Sequence, residues 1–245
     1  MTKEKEITSD VVSELVSAGV IAGHKRSKTH PKMKPFISLN RNEIDFLDPD
    51  ATITSIDEAV EFIAGRLGPD DFMLCVGTTA PARDVITAFS EHFKFPYVIT
   101  RWLGGTLTNF KVITDRMKYY VDLKAKKEKG ELDKYTKKEQ LKFTEKIAKL
   151  SVSFDGLLRM SKLPSILFVI DPAANDTAVK EALLLKIPVV AILDTNDNPK
   201  EITKPIFAND HSKQSITWVV GKIVGGIEAA RMEMAKKEAA AAVVK

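Results

Sequence analysis

The residues best suited to chemistry in this chain are cations and an aromatic set beside glycines. Arg101-Trp102-Leu103-Gly104-Gly105-Thr106-Leu107-Thr108-Asn109-Phe110 joins a basic and an aromatic side chain, through two glycines, to the start of a helix. A guanidinium can fork onto a phosphate and an indole can stack on a base, while glycine removes the side chain where a backbone must approach another surface. The plainer reading has Trp102 and Leu103 packing and Gly104-Gly105 forming an elbow, and the two readings are compatible. A second group lies upstream. Between residues 24 and 34, Lys25, Arg26, Lys28, Lys32 and Lys34 stand beside His24 and His30 with no acid among them, a net charge of +5. Imidazole can stack on a base or bond a phosphate, and Pro31 and Pro35 lower the entropy of presenting the cations along one path. Contact with a polyanion is preferred here over an ordinary solvated charge run.

Oxygen-rich loops form a third group. Asp171 and Asp194 each end an apolar run of strand type, where α/β folds place ligands. Asp194-Thr195-Asn196-Asp197 and Asn209-Asp210-His211 together offer donors to a divalent cation, with Asp194, Asp210 and His24 as its candidate ligands and His211 as a further one. Loop capping and Asx turns are the preferred reading of the same residues. Gly77-Thr78-Thr79 follows a strand and opens a helix, so its amides can hold a phosphate, but a tight turn with a helix cap explains it more simply. No Walker-type loop, G-x-G-x-x-G, H-E-x-x-H or cysteine–histidine metal spacing is present. No catalytic residue is assigned. An α/β enzyme or nucleotide-binding protein using the crevice around Gly77, Asp171 and Asp194 remains the alternative, and an adaptor working through a helical hairpin is a weaker one, since lysine is depleted in protein interface cores.

Composition bounds these readings. With 245 residues, 44% of them hydrophobic, the chain can bury a substantial core in one large domain with a smaller insertion. The single cysteine, Cys75, sits in the apolar run Phe72-Met73-Leu74-Cys75-Val76 and reads as a buried hydrophobe in a reducing compartment. The first residues lack the apolar core of a signal peptide, and no apolar run approaches the roughly 20 residues that span a bilayer. A soluble, intracellular protein without membrane contact is expected. Its net charge of +4 is uneven: residues 111–150 hold 13 Lys or Arg against 7 Asp or Glu, which with the +5 upstream leaves −7 for the remainder. Clustered cations of this kind gain from displacing counterions along a phosphate backbone.

The elements that must position these groups read as α/β. A short docking helix spans Thr8 to Ala18, followed by the basic stretch Gly23 to Pro35 as an extended loop and a small hairpin of Phe36 to Leu39 and Ile44 to Leu47. The capping box Ser55-Ile56-Asp57-Glu58 opens a helix to about Leu67. Strands at 72–76, 97–99, 166–170 and 188–193 are continuous apolar runs, as in a parallel sheet buried on both faces, and they alternate with helices at 81–92, 176–185 and 212–230. Between residues 99 and 166 the spacing of Phe110, Ile113, Met117 and Tyr120, and of Phe143, Ile147, Leu150, Phe154 and Leu157, gives two heptad-like seams. Gly130 separates them and Thr136-Lys137-Lys138-Glu139 restarts a helix, so an antiparallel, lysine-faced hairpin is expected. The organisation is then a globular α/β domain over 1–107 and 161–231, an inserted helical hairpin over 108–160, and a flexible tail over 232–245.

Taken in order, Gly23-His24, His30-Pro31-Lys32-Met33-Lys34-Pro35-Phe36-Ile37, Val76-Gly77-Thr78, Arg101 to Phe110, Lys138-Glu139, Asp194-Thr195-Asn196 with Pro199, and Ala208-Asn209-Asp210 resemble the small-subunit ribosomal protein S2 family of bacterial type along nearly the whole chain. Departures are Thr29-His30, Thr79, Asp197-Asn198 and His211. The resemblance implies a three-layer, mostly parallel, five-stranded flavodoxin-like sheet with an inserted antiparallel coiled-coil hairpin. It also implies a non-enzymatic, cytoplasmic ribosomal protein that binds small-subunit ribosomal RNA between head and body and supports translation and late subunit assembly. Protein neighbours, S1 among them, are implied, and self-association is not expected. The RNA-contacting residues it points to are His24, Lys25, Arg26, Lys28, His30, Lys32, Lys34, Arg101, Trp102, Lys111 and Arg116. Recognition should then be of RNA shape and backbone rather than of base sequence.

Overall fold

The structure is a computed structural model that describes residues 9–68 and 70–243, with side chains described over 10–68 and 70–233. The expected helix start at Thr8 and the end of the tail at Lys245 lie outside the described residues. In chain order the elements are α1 (Ser9–Ser17), β1 (Ala22–Lys25), β2 (Ile37–Arg41), β3 (Ile44–Leu47), α2 (Pro49–Arg66), β4 (Met73–Val76), α3 (Ala80–Phe93), β5 (Tyr97–Val98), α4 (Phe110–Glu128), α5 (Lys137–Phe154), β6 (Ile166–Ile170), α6 (Asp176–Leu184), β7 (Val189–Leu193), β8 (Lys204–Phe207) and α7 (Lys213–Val243).

Five strands form a parallel sheet in the order β5-β4-β6-β7-β8. Counted along the chain this is 2-1-3-4-5, the flavodoxin-like order, with its switch point between β4 and β6. Every residue of β4, β6 and β7 is buried, as their unbroken apolar runs predict. Their side chains alternate between two cores. Met73, Cys75, Ile166, Phe168 and Ile192 face α2, α3 and α7, while Leu74, Val76, Leu167, Val169 and Ala191 face α6, the start of the α4–α5 pair and the segment around Met33. Cys75 is sealed in the first core, and burial pushes its thiol up to about 12, which leaves it unreactive at neutral pH.

Four boundaries differ from the sequence expectation. Helix α2 begins two turns before the Ser55 capping box, with Asp48 accepting from the Asp50 N–H at 3.3 Å and Pro49 in the first turn. Ser55 is instead buried inside α2; its hydroxyl donates to the Thr52 carbonyl and accepts from the Phe207 N–H at 3.1 Å. Strand β8 has no counterpart in the apolar pattern, because Lys204 and Pro205 interrupt it; proline is tolerated there because β8 is an edge strand. The basic stretch is not an extended loop: β1 and two 3-10 turns, Arg26–Lys28 and Pro31–Phe36, occupy it. The closing helix continues past Ala230 to Val243, so the stretch after Met232 is helical as far as it is described.

Helices α4 and α5 run antiparallel: Thr100, ahead of α4, donates to the Val152 carbonyl near the end of α5 at 3.1 Å, and Tyr120, midway along α4, donates its hydroxyl to Asp155 at the end of α5 over 2.6 Å. Ile113, Met117, Tyr120 and Phe154 fill the root of the seam, and the capping box between Thr136 and Glu139 forms as expected. Gly156 fixes how closely this root sits on the sheet. A Cβ there would lie 2.3 Å from the Tyr97 carbonyl oxygen and 2.8 Å from its ring, so the β5 backbone itself would have to shift. Gly156→Ala is therefore expected to cost about 1–3 kcal/mol in chemical denaturation, the range for overpacking a filled site. Gly104→Ala, whose Cβ meets nothing within 4 Å, should stay within roughly 0.5 kcal/mol of the parent.

Candidate nucleic-acid interface

The basic segment is held rigidly from behind. Gly23 passes so close to the sheet that a Cβ would lie 2.5 Å from Thr195 Cγ2 and 2.7 Å from the Asp45 carbonyl. The His24 N–H donates to Thr195 Oγ1 at 2.9 Å and the His30 N–H to the Thr195 carbonyl at 2.8 Å, so one residue after β7 pins both ends of the first turn. In front, β1, β3 and β2 form a small antiparallel sheet whose tight turn places Asn42 and Glu43 at positive φ (52° and 62°). Buried Asp45 on β3 accepts from the Thr29 hydroxyl and, at 2.6 Å, from Asn40 Nδ2. Met33, inside the second 3-10 turn, is buried.

Around this frame Lys25, Arg26, Lys28, Lys32 and Lys34 are all exposed. Among the described residues none of the five pairs with a carboxylate; Lys32 Nζ donates to the amide oxygen of Asn198 at 3.1 Å. Arg26 and Lys34 line a groove of about 580 Å³ with Ser38 and Asn40 on β2. Arg101, Lys111 and Arg116 are likewise exposed, at the root and first turns of α4. The structure thus presents cations on two bodies, the pinned amino-terminal segment and the helical pair.

Three candidates are placed differently. Trp102 is only 8% exposed, and its indole N–H donates to Glu181 on α6 at 3.0 Å, so it packs and is not a stacking platform. The same carboxylate accepts from the N–H groups of Gly105 (2.7 Å), Leu107 (3.0 Å) and Thr108 (3.1 Å) and from the Thr108 hydroxyl. Gly105, at φ 87°, makes the turn that aims these amides inward. Burial favours the neutral acid, but the hydrogen bonds from Trp102 and the loop amides outweigh it and hold Glu181 below the usual carboxylate range. His30 uses Nδ1 to accept from the Lys32 N–H at 3.2 Å, capping the second 3-10 turn. His24 turns inward, with its side chain 17% exposed and Nδ1 2.9 Å from Asp194 Oδ2.

That inward turn brings together the third group of residues. The carboxyl edge of the sheet gathers Asp171 after β6, Asp194 and Asp197 after β7, and Asp210 after β8, all buried. His24 and His211 meet edge to face there, with ring centroids 4.5 Å apart, and His211 Nδ1 bonds Asp210 Oδ1. The hydrogen bond that His211 makes to Asp210 raises the imidazole to about 9, against burial. Burial first, then the neighbouring acids, pushes Asp197 up to about 8, and burial pushes Asp210 to about 6. An acid whose folded pKa lies above its unfolded value of roughly 3.9 loses stability as pH rises between the two. Asp197→Asn keeps an oxygen able to accept the Asp194 N–H, which Asp197 Oδ2 takes at 3.0 Å. The variant should therefore gain in thermal midpoint over the parent from pH 5 to 9 in chelator-treated samples; parallel pH profiles would refute the buried charge. At the switch point the Gly77 turn is closed by packing: Thr78 Oγ1 donates to Asn175 at 2.9 Å, and a Cβ on Gly77 would lie 2.8 Å from Ile86. No positioned nucleophile and base accompany it among the described residues.

Comparison with known proteins agrees with this architecture. The family model described as ribosomal protein S2 matches residues 15–230. The chain is 41% identical over 209 residues to the small ribosomal subunit protein uS2 of Roseiflexus castenholzii, covering 85% of this chain and 80% of that one. It is 38% identical over 229 residues to that of Dictyoglomus turgidum, covering 94% and 93%, and 37% identical over 228 residues to that of Chloroflexus aurantiacus, covering 93% and 96%.

Proposed function

The chain belongs to the ribosomal protein S2 family, and from that premise we propose that it is a structural, RNA-bound component of the small ribosomal subunit, working on the ribosome in the cytoplasm. The observation that carries the RNA-binding reading is the row Lys25, Arg26, Lys28, Lys32 and Lys34, exposed and without carboxylate partners among the described residues, on a segment fixed by Thr195. Cations held this way lose little entropy on meeting phosphates, and they read backbone path rather than base edges. Arg101, Lys111 and Arg116 supply a second contact, and the packed root of α4 and α5 sets its distance from the first. The family resemblance supports a seat between head and body, a part in late assembly, and S1 among the protein neighbours. The exposed apolar run Leu183 to Leu185 suits a protein neighbour more than RNA.

A structural rather than enzymatic role follows from the family. The reading is tested by sedimenting cell extract through gradients at moderate and high salt. The chain should comigrate with small subunits and dissociate as salt rises. A signal confined to the top of the gradient at both salts would overturn it.

A further inference from the structure

We propose that the groove between the basic segment and β2 seats one unpaired nucleotide of the RNA, a site that rests on the RNA-binding reading above and adds a base to its backbone contacts. The base lies against Leu39, and its phosphate sits between Arg26 and Lys34. The groove measures about 580 Å³, within the range of small-ligand sites. Its wall is mixed in a way that a phosphate contact does not require. Pro31, Ile37 and Leu39 supply carbon, and Leu39 is 51% exposed, a large apolar side chain standing among cations. A phosphate gains nothing from such a surface, whereas the face of a base does. Within a duplex those faces are covered by the neighbouring pairs, and they come free only in loops, bulges and ends. The occupant is therefore unpaired.

The two walls are held at a set distance. Buried Asp45 ties them together, accepting from the Thr29 hydroxyl of the basic segment and from Asn40 Nδ2 of β2, and the Arg26 N–H donates to the Glu43 carbonyl at 2.7 Å. A site fixed in this way loses little entropy when it fills. Asp45 is also the only acid lining the groove, and both its oxygens are engaged, while Arg26 and Lys34 pair with no carboxylate among the described residues. The site therefore favours an anion. β2 is the edge strand of the small sheet, so main-chain groups along its outer side have no strand partner and offer donors and acceptors to the rim of a base. The same edge could pair with a protein strand. Charge decides against it, because lysine is depleted in protein interface cores and two uncompensated cations flank this groove.

The full chain would be titrated with a short RNA hairpin carrying one unpaired nucleotide in its stem, offered as each of the four bases. A fully paired stem and a stem with an abasic residue at the same position are the controls. At fixed salt, at least one of the four should bind about 5-fold or more tightly than both controls, the lower end of what one stacked base contributes. Leu39→Ala should abolish that preference without changing affinity for the paired stem, and Leu39→Met should keep it. Leu39 is half exposed, so both variants should fold, which melting curves check. Preference retained in Leu39→Ala would overturn the groove as the nucleotide site. Equal, salt-dependent binding of all the RNAs would overturn it too, leaving the cation reading intact and a protein strand as the occupant of β2. Binding to none of them at low salt would overturn the RNA-binding reading itself.

Discussion

Glu181→Ala is expected to destabilise the protein by about 2–6 kcal/mol, a large share of the roughly 5–15 kcal/mol that holds a domain together. The substitution removes the acceptor for five donors at once. Two of them, the Trp102 indole and the Leu107 amide, are fully buried, and each such orphaned donor costs roughly 1–3 kcal/mol. Gly105 and Thr108 lie nearer solvent and can recruit water, so they contribute less. Glu181→Gln restores one oxygen but turns its amide hydrogens toward N–H groups, so it should also lose stability. The pH profile separates charge from packing. A carboxylate whose folded pKa is depressed contributes stability that is present above its unfolded pKa of roughly 4.3 and is lost as pH falls through the folded value. The parent should therefore weaken in acid relative to Glu181→Gln, and the gap between them should be widest above pH 5. A loss under about 1 kcal/mol for Glu181→Ala in urea denaturation would mean that the loop amides find other partners.

The same carboxylate explains which parts of the site were legible. Arg101 to Phe110 stands out in the sequence because tryptophan, paired glycines and a helix start coincide, yet those cues are shared by a stacking platform and a packed elbow. What decides between them is Glu181, 79 positions from Trp102. A local signal for it did exist: Glu181 lies among Ala178, Val179 and Ala182 on the face α6 buries, where a carboxylate requires donors. His24 was ambiguous in the same way, since its neighbours in sequence are cations while its neighbours in space are Asp194 and His211. Strands β6 and β7 and the seams of α4 and α5 were readable because periodicity reports burial directly. The start of α2 was not, because Ser55-Ile56-Asp57-Glu58 has the letters of a capping box but sits mid-helix, where Ser55 serves Thr52 and Phe207. Edge strand β8 carries Pro205, which breaks the pattern that identifies interior strands.

Replacing Lys25, Arg26, Lys28, Lys32 and Lys34 together with Gln should weaken association with small-subunit RNA by several orders of magnitude at low salt and leave the fold intact. All five side chains are exposed, and surface changes of this kind each move stability by no more than roughly 0.5 kcal/mol. Binding is another matter. Each neutralised phosphate contributes about 0.7–0.9 to the slope of log affinity against log salt, so five contacts account for roughly 4 units of slope. Removing Lys111 and Arg116 alone should lower the slope by at most about 2 by the same rule. Trp102→Phe provides the contrast: it deletes the indole donor to Glu181 inside the packed loop, so it should lower stability while leaving the slope unchanged. Measuring RNA association of the full chain across a salt series, with each variant's melting curve beside it, resolves the two roles. A slope unchanged in the five-fold variant would mean that the amino-terminal cations are solvated and that the interface lies elsewhere. A slope altered by Trp102→Phe at unchanged stability would return the indole to the RNA.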